Sequence, residues 1–190
     1  MEIRRYLDIL HLAEQMKNNV RHSWTSSGRR ESVAEHTFRL ILMAYFVKDE
    51  FQEADMEKVM KMCLFHDFGE AFTGDIPTFE KDGTDEEREQ KAVNGWIETL
   101  PEPYRMELRE LFSEMEERTT LEAKIYRALD KMEALIQHNE AEIQTWLPLE
   151  YTLQMTYGER EVQFSDYMKR LKAMVNEDSR RKIEEAKAKE

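Results

Sequence analysis

Residues 119–146 read TTLEAKIYRALDKMEALIQHNEAEIQTW, and this stretch, with a cap at Thr119-Thr120-Leu121-Glu122, predicts the central helix of an all-α protein. Two stripes of mostly apolar or small residues follow the helical period along it, so neighbouring helices are expected to cover two of its faces. Asp130 is the one charged position in either stripe. The first stripe contains Leu121, Ile125, Leu129, Met132 and Ile136, and the second contains Ala123, Tyr126, Asp130, Ala134, Gln137 and Ala141.

The rest of the chain also favours helix, because its 190 residues include only six Gly and four Pro and are rich in helix-forming side chains. We expect a single-domain bundle of about six to eight helices over residues 1–176. Residues 177–190 read as a charged helical extension or a frayed tail. Further helices are expected over 3–18, from a capping box at Ser32 to near Phe51, from an N-cap at Asp55 into His66, from a capping box at Thr84 to about Leu100, over 104–117 and over 158–176, with loops at 19–31 and 74–83.

Charge and composition exclude several classes of protein. The net charge of −12 argues against a nucleic-acid polymer as partner, since phosphate backbones repel an acidic surface. No apolar run approaches the roughly 20 residues of a membrane span. The single cysteine, Cys63, cannot form an intramolecular disulfide, and we expect a cytoplasmic protein.

Polar residues interrupt three apolar helices at positions where a charge needs a partner. His66-Asp67 closes the apolar helix that starts after Asp55, and Asp130 lies on the inner second face of the long helix. A buried charge must be paired or bound to a metal. His36 follows the Ser32 cap among apolar neighbours, and taken alone it is more typical of a partly buried histidine than of a ligand.

Together, His36, His66, Asp67 and Asp130 would give two imidazoles and two carboxylates from three helices. Such a ligand set suits one divalent transition metal, Co²⁺, Mn²⁺, Zn²⁺, Ni²⁺ or Fe²⁺, and leaves coordination positions open for water and substrate. The sequence therefore predicts a metal centre, whose ion these ligand types do not identify.

The order His36 … His66-Asp67 … Asp130 resembles the H…HD…D signature of the HD-domain phosphohydrolases. The segments ESVAEH at 31–36 and HDFGEAFTGDIPT at 66–78 are similar to those of the 5′-deoxynucleotidase (YfbR-like) branch. The resemblance covers roughly residues 5–145. It implies the HD-domain fold, one divalent metal on the four residues above, and an enzyme acting on a small-molecule nucleotide.

The resemblance also assigns roles to five further residues. It implies that Glu70 and Asp75 act in catalysis, and that Arg21 and Trp24 contact the phosphate and the sugar of the substrate. Arg30 resembles an arginine that often precedes the Glu-Ser-Val segment. The family often forms homodimers. Taken without the resemblance, Trp24 is more typical of a core aromatic than of a sugar contact, and Asp75 could equally cap the turn before Pro77.

We therefore expect a metal-dependent phosphomonoesterase that converts 5′-deoxyribonucleoside monophosphates to deoxyribonucleosides and phosphate. Two alternatives stay open at this stage. The same site could serve another small nucleotide, or the chain could be a non-catalytic module that binds a metal or a nucleotide.

Overall fold

α-Helices carry most of the chain in the computed structural model, which describes residues 1–188, and the predicted all-α class is confirmed. Within these residues eight of the ten α-helices have seven residues or more, in agreement with the predicted six to eight. The helices are α1 Ile3–Ala13, α2 Gln15–Asn18, α3 Val33–Phe46, α4 Met56–Phe65, α5 Glu70–Thr73, α6 Gly83–Ile97, α7 Tyr104–Glu117, α8 Leu121–Glu140, α9 Glu150–Thr156 and α10 Asp166–Lys187; the strands are β1 Val20–Trp24 and β2 Arg30–Ser32, and short 3₁₀ turns lie at Lys48–Glu50 and Ile143–Thr145.

Helix α8 is the centre of the bundle, as its two stripes predict. It packs against α3, α4 and α10. Ile125 and Leu129 of the first stripe are fully buried, and so is Ala123 of the second, while Asp130 is buried beside them. The core is therefore built around one helix whose second face presents a carboxylate to the interior.

Capping side chains lie at the starts of α3, α4 and α8, the three helices that carry or lead into the predicted metal ligands. Ser32 and Glu35 form the predicted capping box at α3, and Asp55 accepts from the backbone N–H of Lys58 at the start of α4. Thr120 caps α8 in the same way. These caps satisfy backbone donors that a helix start leaves free, and each cap was readable from the sequence.

The expected loop at 19–31 is wrong, because it contains an antiparallel hairpin. Strand β1 pairs with β2 with Val20 opposite Ser32 and Trp24 opposite Arg30, and Gly28 takes a φ of +80° in the turn between them. The backbone carbonyl of Trp24 also accepts from Gln137 of α8 at 2.6 Å. The hairpin is thus held by backbone pairing and by α8, and its polar composition carried no apolar alternation that would indicate strands.

Several predicted boundaries are also wrong. The capping box of α6 uses Asp82 and Asp85 instead of Thr84 and Glu87. Helix α8 ends at Glu140, short of the expected Trp146, and α9 follows as a separate short helix. Glu14 interrupts the expected first helix between α1 and α2.

The last helix begins and ends later than expected. Ser165 caps α10, which runs unbroken past position 176 to Lys187 and buries Ser179. The extension expected at 177–190 is therefore helical through Lys187 and continues the last helix of the fold. Positions 189 and 190 of that tail lie outside the described residues. No helix among residues 1–188 is both long and apolar enough to cross a membrane.

Candidate functional site

The four side chains that the sequence singled out as metal ligands converge on one point between α3, α4 and α8. Nε2 of His36 and Nε2 of His66 lie 3.2 Å apart. Oδ2 of Asp67 is 3.0 Å from the His66 nitrogen and 3.7 Å from that of His36. Oδ1 of Asp130 is 3.4 Å and 3.7 Å from the same two nitrogens. The structure therefore brings two nitrogens and two oxygens together around a single position.

Backbone and side-chain contacts turn both imidazoles toward that position. Nδ1 of His36 contacts the carboxylate of Glu133, and Nδ1 of His66 lies 2.9 Å from the carbonyl oxygen of Cys63. Both partners are acceptors, so in the neutral form of each ring Nδ1 carries the proton and Nε2 presents a lone pair. In that form two lone pairs and two carboxylates face one position, and a divalent cation there would satisfy all four.

The electrostatics of this cluster also fit a cation. Burial lowers the pKa of His66, but Asp67 and Asp130 outweigh that effect and raise the pKa to about 10. The two carboxylates thus stabilise positive charge at the imidazole nitrogen. A divalent ion bound by nitrogen and oxygen ligands would provide that charge, so the residues present fit a metal centre.

Glu70 is a buried acid near the four-residue cluster. It starts α5, one turn after the His66-Asp67 pair, and Asn19 donates to its backbone carbonyl at 2.5 Å. Its side chain is only 5% exposed, and Oε2 has no hydrogen-bond partner among the described residues. Burial, followed by the charges of Asp67 and Asp75, raises the pKa of Glu70 to about 10. Such a group can hold a proton at neutral pH.

A cavity of about 330 Å³ opens over the cluster and is lined by His66, Asp67, Glu70, Asp75 and Asp130. This volume is at the small end of the range typical for ligand pockets. Although the chain is strongly acidic, several cationic side chains line the cavity. They are Arg21, Lys81, Arg118, Arg127 and Lys131.

Arg21 reaches the site from strand β1. Its Nη1 lies 3.6 Å from Oδ2 of Asp67, and its Nε lies 3.5 Å from Oε2 of Glu31. Although burial lowers the pKa of Arg21, the surrounding carboxylates outweigh this and raise it. A permanently charged guanidinium therefore stands at the edge of the cluster, where an anion would bind.

Trp24 and Arg30 do not line this cavity. The guanidinium of Arg30 lies 4.4 Å from the centroid of the Trp24 ring, and its Nη1 donates to the backbone carbonyl of His22. The pair braces the hairpin in this structure. Their expected contacts with substrate stay a prediction.

Sequence reasoning missed the residues that support the cluster. Glu133 is fully buried, contacts His36, and accepts from Nε of Arg39 at 2.7 Å. Oxygens of Glu31 and Glu133 lie within 4.8 Å of His36, but Arg21 and Arg39 neutralise these acids. Glu133 lies one helical turn after Asp130 on α8, and this spacing is the sequence feature that could have indicated its position beside the cluster.

Two cations beside Asp130 were also missed. Nζ of Lys131 lies 3.0 Å from Oδ2 of Asp130, and Nη1 of Arg127 lies 3.4 Å from the same atom. Both side chains line the cavity. The oxygen of Asp130 that faces away from the histidines is therefore held by positive charge, which leaves Oδ1 directed at the cluster.

Comparison with known proteins agrees with this geometry. Residues 13–172 match the HD domain family. The human 5′-deoxynucleotidase HDDC2 is 34% identical over 143 residues, which cover 73% of this chain and 69% of that protein. The Dictyostelium discoideum protein of the same name is 32% identical over 150 residues, covering 73% and 78%.

Solved structures give the same result. A structure described as a predicted metal-dependent phosphohydrolase from Magnetospirillum magnetotacticum MS-1 superposes with a TM-score of 0.77 at 26% identity, covering 95% of this chain and 91% of that one. A conserved hypothetical protein from Pyrococcus furiosus gives a TM-score of 0.72 at 28% identity, covering 90% and 99%. Sequence, fold and the four-residue cluster agree, and the chain belongs to the HD domain family of metal-dependent phosphohydrolases, in the group that includes the 5′-deoxynucleotidases.

Proposed function

We propose that this protein hydrolyses 5′-deoxyribonucleoside monophosphates to deoxyribonucleosides and phosphate. The observation that carries the proposal is the meeting of His36, His66, Asp67 and Asp130 at one point near Glu70, whose Oε2 has no hydrogen-bond partner in the described part of the chain. The relatives named 5′-deoxynucleotidase support the choice of substrate.

In this proposal the four converging residues are the ligands of one divalent ion, which is Co²⁺, Mn²⁺, Zn²⁺, Ni²⁺ or Fe²⁺. Two imidazoles and two carboxylates suit any of these ions. The chemistry that such an ion supplies when bound is activation of water near neutral pH and polarisation of a phosphoryl oxygen.

Acidic side chains that line the cavity supply the proton transfers of the reaction. Water forms the new bond to phosphorus while the bond from phosphorus to the 5′-oxygen breaks, and the leaving oxygen needs a proton. Glu70 can take a proton from the attacking water on Oε2 or deliver one to the leaving oxygen. Burial, followed by the charges of Asp67 and Asp75, favours the protonated carboxyl of Glu70, which is the form that delivers a proton to the leaving oxygen, and Asp75 lines the same cavity.

Arg21 and the two cations of α8 serve the phosphate in this mechanism. Arg21, Arg127 and Lys131 line the cavity within contact distance of the cluster carboxylates. Guanidinium groups suit phosphate oxygens because their N–H donors form a planar fork. The three cations would offset the phosphate charge in an otherwise acidic protein.

The proposal extends to the state of the protein in the cell. We propose a cytoplasmic homodimer, and the exposed aromatic side chains of α3 support the dimer, since Phe38 is 66% and Phe46 is 76% exposed. Light scattering coupled to gel filtration measures the oligomeric state. A monomer at micromolar concentration would contradict this part of the proposal.

The deciding experiment is phosphate release from deoxyribonucleoside and ribonucleoside monophosphates in the presence of Co²⁺ or Mn²⁺, comparing wild type with Glu70→Gln. We expect a fall in kcat of about 100- to 10,000-fold in the variant, with its metal content unchanged. Glu86→Gln, which alters an exposed acid at the rim of the same cavity, is the control and should keep its activity.

Each other outcome points to a different conclusion. Full activity of Glu70→Gln would remove this residue from the mechanism. Turnover of a different small nucleotide with none on deoxyribonucleotides would change the substrate. A wild-type protein that binds metal and releases phosphate from no nucleotide would be a non-catalytic module.

A further inference from the structure

Three side chains that the proposed mechanism does not use lie in another part of the same cavity. Nε2 of His22 is 2.9 Å from Oε1 of Glu150, and Nε2 of His138 is 3.6 Å from Oε2 of Glu150. All three residues line the cavity. We refer to them as the histidine cluster.

Among residues 1–188, the Nε2 atom of each histidine in the cluster lacks a hydrogen-bond partner. Nε2 of His22 and Nε2 of His138 are buried, and neither makes a hydrogen bond within the described residues. For His22 the 2.9 Å separation from Glu150 is an ion-pair distance, but the contact lacks hydrogen-bond geometry. For His138 the separation is too long. Buried polar atoms of this kind normally have a partner, so these two nitrogens call for a ligand in the cavity.

The histidine cluster lies at a defined distance from the metal centre. His138 follows Asp130 by eight residues on α8, which corresponds to about 12 Å along the helix axis. Ala134 lies between them and also lines the cavity, so its small side chain leaves the space open. A ligand with a phosphate at one end and a polar group at the other fits such an elongated site.

Aromatic and backbone contacts hold the side chains of the histidine cluster in place. The His138 ring packs against Trp146 with centroids 4.3 Å apart and planes tilted by 34°, and Trp146 donates from Nε1 to the carbonyl of His138 at 3.1 Å. The carboxylate of Glu150 accepts from the backbone N–H of Leu147 at 2.6 Å. Phe79 meets the ring of His22 edge-on at 5.3 Å. The polar atoms are thus preorganised, which lowers the cost of binding a ligand.

The charge state of His138 suits a neutral planar ligand. Burial lowers the pKa of His138 to about 4 in spite of the neighbouring Glu150. His138 is therefore neutral at physiological pH and offers one donor and one acceptor. A nucleobase edge presents the complementary donors and acceptors, and its flat faces match a site with aromatic walls.

We propose that His22 and His138 form the nucleobase subsite of this enzyme and that Glu150 orients the two rings. The inference rests on the proposed function, because it assigns the base of the substrate whose phosphate lies at the metal centre. It makes the base, and not only the deoxyribose phosphate, a source of binding energy.

The test compares substrates with and without a base. His22→Phe and His138→Phe keep an aromatic ring but remove the ring nitrogens, and His11→Phe changes an exposed histidine of α1 as the control. We expect each cavity variant to raise KM for deoxyribonucleoside monophosphates about three- to tenfold, with little change in kcat. Hydrolysis of 2-deoxyribose 5-phosphate, which has no base, should be unchanged.

Calorimetry with free deoxynucleosides gives a second readout that needs no turnover. Wild type and His11→Phe should bind them, and the two cavity variants should bind them about three- to tenfold more weakly. Equal losses on the base-free substrate, or unchanged nucleoside binding in both cavity variants, would overturn the inference. Absence of turnover by wild type would instead contradict the proposed function, and nucleoside binding would still decide the role of the cluster.

Discussion

Glu133 shows how one residue outside the cluster controls a member of it. Burial raises its pKa, but His36, Arg21 and Arg39 outweigh this and lower it, so the side chain is a buried carboxylate. It contacts Nδ1 of His36 and so, in the neutral ring, places the proton on Nδ1 and the lone pair on Nε2. Glu133 is a positioning residue in this arrangement, because it acts through the imidazole.

We predict that Glu133→Gln lowers metal affinity about 10- to 100-fold, because an amide can donate to Nδ1 and so favours the wrong tautomer. Isothermal titration with Mn²⁺ or Co²⁺ measures the affinity. Glu140→Gln is a matched control, since Glu140 accepts from Nη1 of the same Arg39 at 2.6 Å but is not paired with the histidine. An affinity equal to wild type in Glu133→Gln would show that another group orients His36.

At the scale of elements, the packing of α9 against α10 includes a buried lysine. Lys172 of α10 donates to Oδ1 of Asn176 at 2.7 Å and to the carbonyls of Gln154 and Met155 at 3.3 Å each. Burial lowers the pKa of Lys172 from its ordinary value of 10.5 to about 8. Between these two pH values the unfolded chain binds more protons at this position than the folded chain, so this residue makes stability rise with pH.

We predict that the free energy of unfolding of wild type rises relative to that of Lys172→Met as the pH increases from about 8 to about 10.5. Chemical denaturation at several pH values measures both proteins. Lys169→Met removes an exposed lysine of the same helix and is the control. A difference between wild type and Lys172→Met that does not change with pH would contradict the depressed pKa.

The connection that follows α9 approaches α8 closely at Gly158. This residue has a φ of +74°, and a Cβ there would lie 2.8 Å from Cε of Met132 and 2.9 Å from Cβ of Lys131. Gly158→Ala therefore combines backbone strain with overpacking, and we predict a loss of about 2–4 kcal/mol in the free energy of unfolding.

Gly28→Ala is the matched comparison for that prediction. Gly28 has a similar φ of +80°, but nothing lies within 4 Å of its added Cβ. Only the strain remains, and we expect a loss of about 1–2 kcal/mol. Denaturant titration measures both variants. Equal losses at the two glycines would mean that α8 moves away to accommodate the methyl group.

At the scale of the whole molecule, a bound ion would cross-link the bundle. His36 comes from α3, His66 and Asp67 follow α4, and Asp130 belongs to α8. An ion that binds the folded state alone stabilises it by about 2.7 kcal/mol at one hundred times its Kd. We predict that chelation lowers Tm by roughly 5–10 °C at such a concentration.

Asp130→Asn provides the comparison, because it removes one ligand charge. Its Tm should not respond to chelator at ion concentrations that stabilise wild type, while its far-ultraviolet circular dichroism stays helical. Thermal denaturation with and without the ion measures both proteins. Equal Tm values for wild type with and without chelator would contradict a metal centre that links the three helices.

The amino-acid sequence is sufficient to predict the helical class, the central helix and the N-caps at Ser32, Asp55 and Thr120. These features depend on residues three or four positions apart, and their periodicity and hydrogen-bonding types are readable locally. It also singled out the His66-Asp67 pair and Asp130, because a charge within an apolar stripe is conspicuous.

Which distant groups come into contact is visible only in the folded protein. The contact between His36 and Glu133 joins positions 97 residues apart, and the hairpin that carries Arg21 to Asp67 is set by backbone pairing and by α8. Glu150 reaches His22 only because the chain turns after α8. Such contacts depend on how helices pack against one another, and no pattern of neighbouring residues encodes that packing.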